Sequence, residues 1–155
     1  KTAYEIGVRL VGSEMCIRDR IIGAVIIIAA AVFFMGGGDK SAKKSGDRLV
    51  VALNSDNSVK KLKGAKRPIN KLKERAKQIA ALDSVDWVTS FPEDTPLKLI
   101  KELEPDVLVK GKDYKVKDIA GSKEVLSKGG QVKTIKLVKG VSTSNLIKKI
   151  KDLDS

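Results

Sequence analysis

Histidine is missing altogether from the 155-residue sequence, which excludes Ser-His-Asp and Cys-His nucleophilic catalysis and the common zinc sites. Cysteine occurs once, as Cys16, so no intrachain disulfide can form and nothing calls for an oxidising compartment. Aromatic residues make up only 4% of the chain, which argues against a surface that stacks successive bases. No internal repeat or low-complexity segment is present.

What the chain does have is positive charge and enough apolar residues for a core. With 42% hydrophobic content it can bury one ordinary domain. Lys and Arg number 31 against 19 Asp and Glu, a formal charge of +12. Residues 1–20 carry four cations and three anions, so the excess belongs to the region that follows. A basic domain suits a polyanion, and the phosphates of a small molecule explain it at least as well as nucleic acid does. A solvated lysine-rich surface is the plain alternative.

Residues 1–20, KTAYEIGVRLVGSEMCIRDR, follow neither a helical nor a strand period. Their GSEMCIRDR resembles translated adapter read-through, so they read as an artefact or a disordered tail without chemistry. Residues 21–38 are apolar and end in three glycines. The fully apolar part falls short of the roughly 20 residues that span a bilayer, and its β-branched and aromatic content fits a buried strand and turn equally. It is a strand remnant, a membrane helix or part of a chimeric join.

Downstream, residues 39–155 form the expected domain. Residues 40–45 end a helix stopped by Gly46. Residues 48–53 are a nearly continuous apolar strand, as in a parallel sheet covered on both faces. A short helical turn over 58–62, a cationic loop over 63–68 and a helix over 70–82 follow, the last with Leu72, Ala76, Ile79 and Ala80 on one face. Strands are predicted over 85–90, 106–109 and 131–138, with helices over 97–103, 122–128 and from Ser142 onward. Thr95 with Pro96 makes an N-cap and first-turn pair, and the last helix carries Leu146, Ile147, Ile150 and Leu153 on one side. This alternation predicts an α/β fold with a parallel sheet and flanking helices.

Three polar clusters follow strand or loop ends. Asn54, Ser55 and Asp56 stand with the cations Lys63, Lys66 and Arg67; Lys110 to Tyr114 read KGKDY; and Ser142, Thr143 and Ser144 follow Gly140. Ligands of open α/β sheets sit outside the carboxyl ends of the strands, and hydroxyls with free N–H groups at a helix N-terminus form an anion site. Each residue also has a plain reading, as an N-cap, a turn residue or a surface cation. Their joint placement favours a site, and no metal-binding cluster is predicted.

The segments GDRLVVALNSDNSVKKLKGAKRPIN, VDWVTSFPEDTPLKLIKELEPDVLVKGKDY and AGSKEVLSKGGQVKTIKLVKGVSTSNLIKKI resemble the nucleotidyltransferase domain of the bifunctional heptose-phosphate kinases and adenylyltransferases. They are similar, more distantly, to glycerol-3-phosphate cytidylyltransferases. The resemblance covers about two thirds of the chain and implies a Rossmann-like sheet of the nucleotidyltransferase type. It implies transfer of AMP from ATP to a heptose 1-phosphate, with Mg²⁺ on the phosphates, in the cytoplasm, by a homodimer and without nucleic acid. It places Asn54 and Asp56 at the mouth of the site and Lys63 and Arg67 against substrate phosphates. Lys110, Gly111, Asp113 and Tyr114 would line the nucleotide pocket, and Ser142, Thr143 and Ser144 would hold nucleotide phosphates. Arg75 matches a charged position of the wider family, and a surface role suits it equally.

One departure is severe. The family has a His-x-Gly-His motif after its first strand, where imidazoles stabilise charge on the transferring phosphates, and here Met35-Gly36-Gly37-Gly38-Asp39 stands instead. Losing one such donor typically costs about 10²–10³ in rate. The first strand–helix unit therefore reads as damaged or replaced, through a defective gene start or in a degenerate relative, and the chain as it stands is expected to be an inactive adenylyltransferase. Two further readings are a non-catalytic nucleotide-binding module and a membrane-anchored basic domain that binds nucleic acid.

Overall fold

The computed structural model describes residues 9–10, 24–28, 42–111, 115–135 and 143–153. Its strands are β1 (Arg9–Leu10), β2 (Ala24–Ile28), β3 (Arg48–Asn54), β4 (Trp87–Phe91), β5 (Val107–Gly111) and β6 (Gln131–Ile135). They form one sheet of order β1-β4-β3-β2-β5-β6, and every pair is parallel. The helices are α1 (Asp56–Lys63), α2 (Leu72–Ala80), α3 (Leu97–Leu103), α4 (Ser122–Ser127) and α5 (Thr143–Leu153), with a 3₁₀ turn over Val116–Asp118.

Strand β3 shows why the sheet is covered on both sides. Its run RLVVALN is buried from Leu49 to Leu53, and the two-residue side-chain period sends alternate residues to opposite faces. Leu49, Val51 and Leu53 join Ile79, Val88 and Val109 in one core, against which Leu72, Ala76 and Ala80 of α2 pack. Val50 and Ala52 join Phe91, Ile100, Leu103, Leu108 and Val125 in the other, on the side of α3 and α4. Full burial of a Leu contributes about 1.5–3 kcal/mol, so these two layers supply the main stabilisation. Between α3 and α4 the fit is close: Gly121 adopts φ +87, and a side chain there would run into Ile100.

The sheet grows outward from its middle. From β2 the chain steps to β3 and then β4 on one side, and β5 and β6 lie on the other. The direction of growth therefore reverses between β2 and β5, the position of the ligand crevice in open α/β sheets. Within residues 21–38, Ala24–Ile28 is a strand that pairs with both β3 and β5. Among the described residues no helix is long and apolar enough to cross a membrane.

Two local expectations need correction. Within the stretch expected to stay outside the fold, Arg9–Leu10 pairs with Trp87–Val88 at the sheet edge, since two residues are too few to carry a period. Helix α3 is capped by Pro96 without a side-chain hydrogen bond, so Thr95 is not its N-cap. On the apolar side of α5, Leu146 is 55%, Ile150 51% and Leu153 85% exposed. A helical period fixes which residues share a face and leaves open what that face meets.

Candidate functional site

Because all strands run parallel, the carboxyl ends of β2, β3 and β5 lie at one edge of the sheet. At the end of β3 the chain turns at once into α1. Ser55 caps this helix, its hydroxyl accepting from the Ser58 amide at 3.2 Å. The Asn54 amide donates to the Ser58 hydroxyl at 3.0 Å. Asp56 stands in the first turn of α1, where the helix dipole favours a negative charge.

Against this turn lies a buried cation. Arg75 is only 5% exposed. Its Nη2 donates to the Asn54 carbonyl at 2.9 Å and to Asp56 Oδ1 at 2.7 Å, and its Nε donates to the Asn70 carbonyl at 3.2 Å. Asp56 keeps 33% of its side chain exposed. Partial burial opposes its charge, but the Arg75 hydrogen bond, the Leu72 amide and the charges of Arg75 and Lys60 outweigh that and hold the carboxyl below its ordinary value.

The predicted site residues divide accordingly. Asn54 and Asp56 meet at the end of β3, and Lys110 and Gly111 close β5 on the other side of β2. Lys63 closes α1, about 10 Å from Asp56 along the axis at 1.5 Å per residue, so it does not stand at the strand end. The chain then turns back through a bond from the Arg67 amide to the Gly64 carbonyl at 3.0 Å. Lys66 is exposed and Arg67 half-buried on this return. Thr143 and Ser144 open α5. Asp113, Tyr114 and Ser142, the side chains of Thr143 and Ser144, and the Met35 to Asp39 stretch lie outside the described residues.

Arg75 is the organising residue that the surface reading missed. Its signal was its place among Leu72, Ala76 and Ile79, since a cation on the apolar stripe of a helix must find a partner in the interior. Ser58, 1% exposed, was likewise hidden in a stretch read only as a helical turn. Among the described residues no group of three or more His, Cys, Asp and Glu could hold a metal ion.

A second polar corner lies at the other end of β3. Asp86 accepts from the Leu49 amide at 2.7 Å, from Arg48 at 3.3 Å and from Lys43. Arg48 also stands over the Trp87 ring, 5.8 Å from its centre. Burial opposes the Asp86 charge, but the Lys43 hydrogen bond, the Leu49 amide and the cations hold its carboxyl below the ordinary value. A cleft of about 680 Å³ opens at the amino ends of β5 and β6, bordered by the pairs Lys128–Glu104 and Lys101–Glu124. It lies at the edge opposite the sheet reversal.

A parallel sheet that reverses beside a polar, cation-braced strand end defines an open α/β protein with its ligand crevice at that edge. The chain belongs to the cytidylyltransferase-like family, whose pattern matches residues 40–149. It is 58% identical over 114 residues to the bifunctional protein HldE of Actinobacillus succinogenes, covering 74% of this chain and 24% of that one. It is 56% identical over 111 residues to the bifunctional protein HldE of Proteus mirabilis, covering 72% and 23%. The chain thus spans about a quarter of the length of these curated relatives. A lipopolysaccharide core biosynthesis protein from Thermoplasma volcanium shares the fold, with a TM-score of 0.58 at 24% identity over 75% of this chain and 96% of that one. The expected α/β architecture and the resemblance to cytidylyltransferase-like nucleotidyltransferases are both borne out.

Proposed function

We propose that the chain is an adenylyltransferase domain that moves AMP from ATP to a heptose 1-phosphate. An oxygen of the sugar phosphate forms the new bond to the α-phosphorus. The bond from that phosphorus to the bridging oxygen of the β-phosphate breaks, and pyrophosphate leaves with the electron pair. The products are ADP-heptose, destined for lipopolysaccharide core sugar, and pyrophosphate. The observation that carries this reading is the 58% identity to the bifunctional protein HldE over the segment that builds the β3 strand end and the strands around it.

In-line transfer of this kind asks the protein for position and for stabilised charge. Asn54 and Asp56 stand at the mouth of the proposed site, Lys110, Gly111, Asp113 and Tyr114 line its nucleotide side, and Ser142, Thr143 and Ser144 hold nucleotide phosphates. Lys66 and Arg67, with Lys63 farther out, meet the sugar phosphate. Asp56 is engaged by Arg75, and the described carboxylates offer no cage, so these residues do not fit a resident metal. Mg²⁺ belongs to the nucleotide, whose phosphate oxygens hold it. A cytoplasmic setting goes with this reading, because both substrates are phosphorylated metabolites.

The absence of histidine favours one second reading, a module that binds nucleotide without turning it over. Titration with ATP, paired with pyrophosphate release in the presence of heptose 1-phosphate, separates the two. Release that requires both substrates is expected for the transferase, slowed by at least about 10²–10³ for want of the imidazoles. ATP binding without release assigns the chain to the second reading, and no binding at all overturns both.

A further inference from the structure

The reaction outlined above leaves Arg75 without a direct part, although it is the one Lys or Arg side chain among the described residues that is buried. Its three acceptors belong to three separate segments: Asn54 ends β3, Asp56 begins α1, and Asn70 immediately precedes the Lys71 cap of α2. These segments bracket the excursion through α1 and its return loop, which carries Lys66 and Arg67. The Lys71 amide donates to the Glu74 carboxylate at 2.9 Å and the Glu74 amide to the Lys71 carbonyl at 3.0 Å. The loop is thereby tied at its far end to the helix that holds Arg75.

We propose that Arg75 is a positioning residue, which clamps Asn54, Asp56 and Asn70 so that the return loop over 64–71 carries its cations to the sugar phosphate at the sheet edge. This rests on the adenylyltransferase reading for the identity of that phosphate. A planar guanidinium presents donors in several fixed directions at once, and a lysine ammonium on a flexible stem does not reproduce that fork. Arg75 itself is sealed from solvent and acts only through the segments it holds. Its effect reaches the ligand through the loop, so the sugar phosphate feels it more than the nucleotide does.

The test uses the full 155-residue chain with Arg75→Met and Arg75→Lys. Hydrogen exchange reports the amides of residues 64–71, with those of β3 and β5 as the measure of an intact fold. Titrations report heptose 1-phosphate and ATP separately. In Arg75→Met the loop amides are expected to exchange about tenfold faster while the β5 amides keep their protection. The Kd for heptose 1-phosphate rises about tenfold, and that for ATP less than about threefold. Arg75→Lys, which keeps the charge but not the fork, is expected to recover less than half of either change.

Unchanged loop exchange in Arg75→Met overturns the clamp, as does full recovery in Arg75→Lys. Should Arg75→Met fail to fold, Arg75→Lys and Asp56→Asn, each removing part of the clamp, decide by the same loop readout. If the unaltered chain does not bind heptose 1-phosphate, the adenylyltransferase reading fails, while faster loop exchange in the variants still upholds the clamp.

Discussion

Strand β3 ends in an acid–base corner at each side of the sheet, and the two make an instructive pair. At its amino end Asp86 gathers the Leu49 amide, Arg48 and Lys43. At its carboxyl end Asp56 receives Arg75, which also holds two backbone carbonyls. Both carboxyls are held below their ordinary values. They differ in where the burial falls. Asp86 is the shielded member of its cluster, with Lys43 and Arg48 more open to solvent, whereas at the carboxyl end Arg75 is sealed at 6% side-chain exposure and Asp56 faces outward. Chemically similar pairs therefore serve different ends. The first closes the sheet edge away from its reversal, and the second braces the edge that faces it.

The largest expected effect comes from Arg75→Met, which removes a buried charge-assisted network and should cost about 2–3 kcal/mol in chemical denaturation. Asp86→Ala should approach it, at about 2 kcal/mol, by stranding the Leu49 amide and two cations. The pair then separates by function, because Asp86→Ala leaves heptose 1-phosphate affinity within about twofold while Arg75→Met does not. Equal losses of affinity would erase the distinction between the corners.

The pH dependence sharpens the comparison. A carboxyl whose folded pKa lies below its unfolded value contributes stability that is complete above the unfolded value and is lost as pH falls through the folded one. With ordinary values of 3.8 for Asp56 and Asp86, melting temperatures should hold from neutral pH down to that range and drop below it. Asp56→Asn and Asp86→Asn should each flatten the acid limb, and an unaltered limb in either would remove that pair from the account. The smallest effect is expected at Lys61–Asp94, paired at 3.1 Å with both side chains more than half exposed. Lys61→Ala should change stability by less than about 0.5 kcal/mol, which calibrates what burial adds elsewhere.

Much of the fold was legible because it is written in short stretches. The predicted strand over 48–53 is Arg48–Asn54, and the helix over 97–103 is Leu97–Leu103. The face of α2 with Leu72, Ala76, Ile79 and Ala80 is the one that meets the core. Less of the site could be read this way. Lys63 follows Asp56 closely in sequence, yet a helix holds them apart. Arg75 follows it by 19 residues, yet touches it, because the chain returns to the same strand end.

By itself the sequence determined the alternation of strands and helices, the parallel sheet and the family, because apolar period, caps and glycine stops act between near neighbours along the chain. The missing histidines were equally plain. Only the tertiary structure decided which edge each polar cluster occupies, that Arg75 is interior and that the α5 stripe is exposed. These depend on contacts across long separations, such as the 21 residues from Asn54 to Arg75 or the 43 from Lys43 to Asp86. No local pattern encodes such contacts; the packing of the whole sheet creates them.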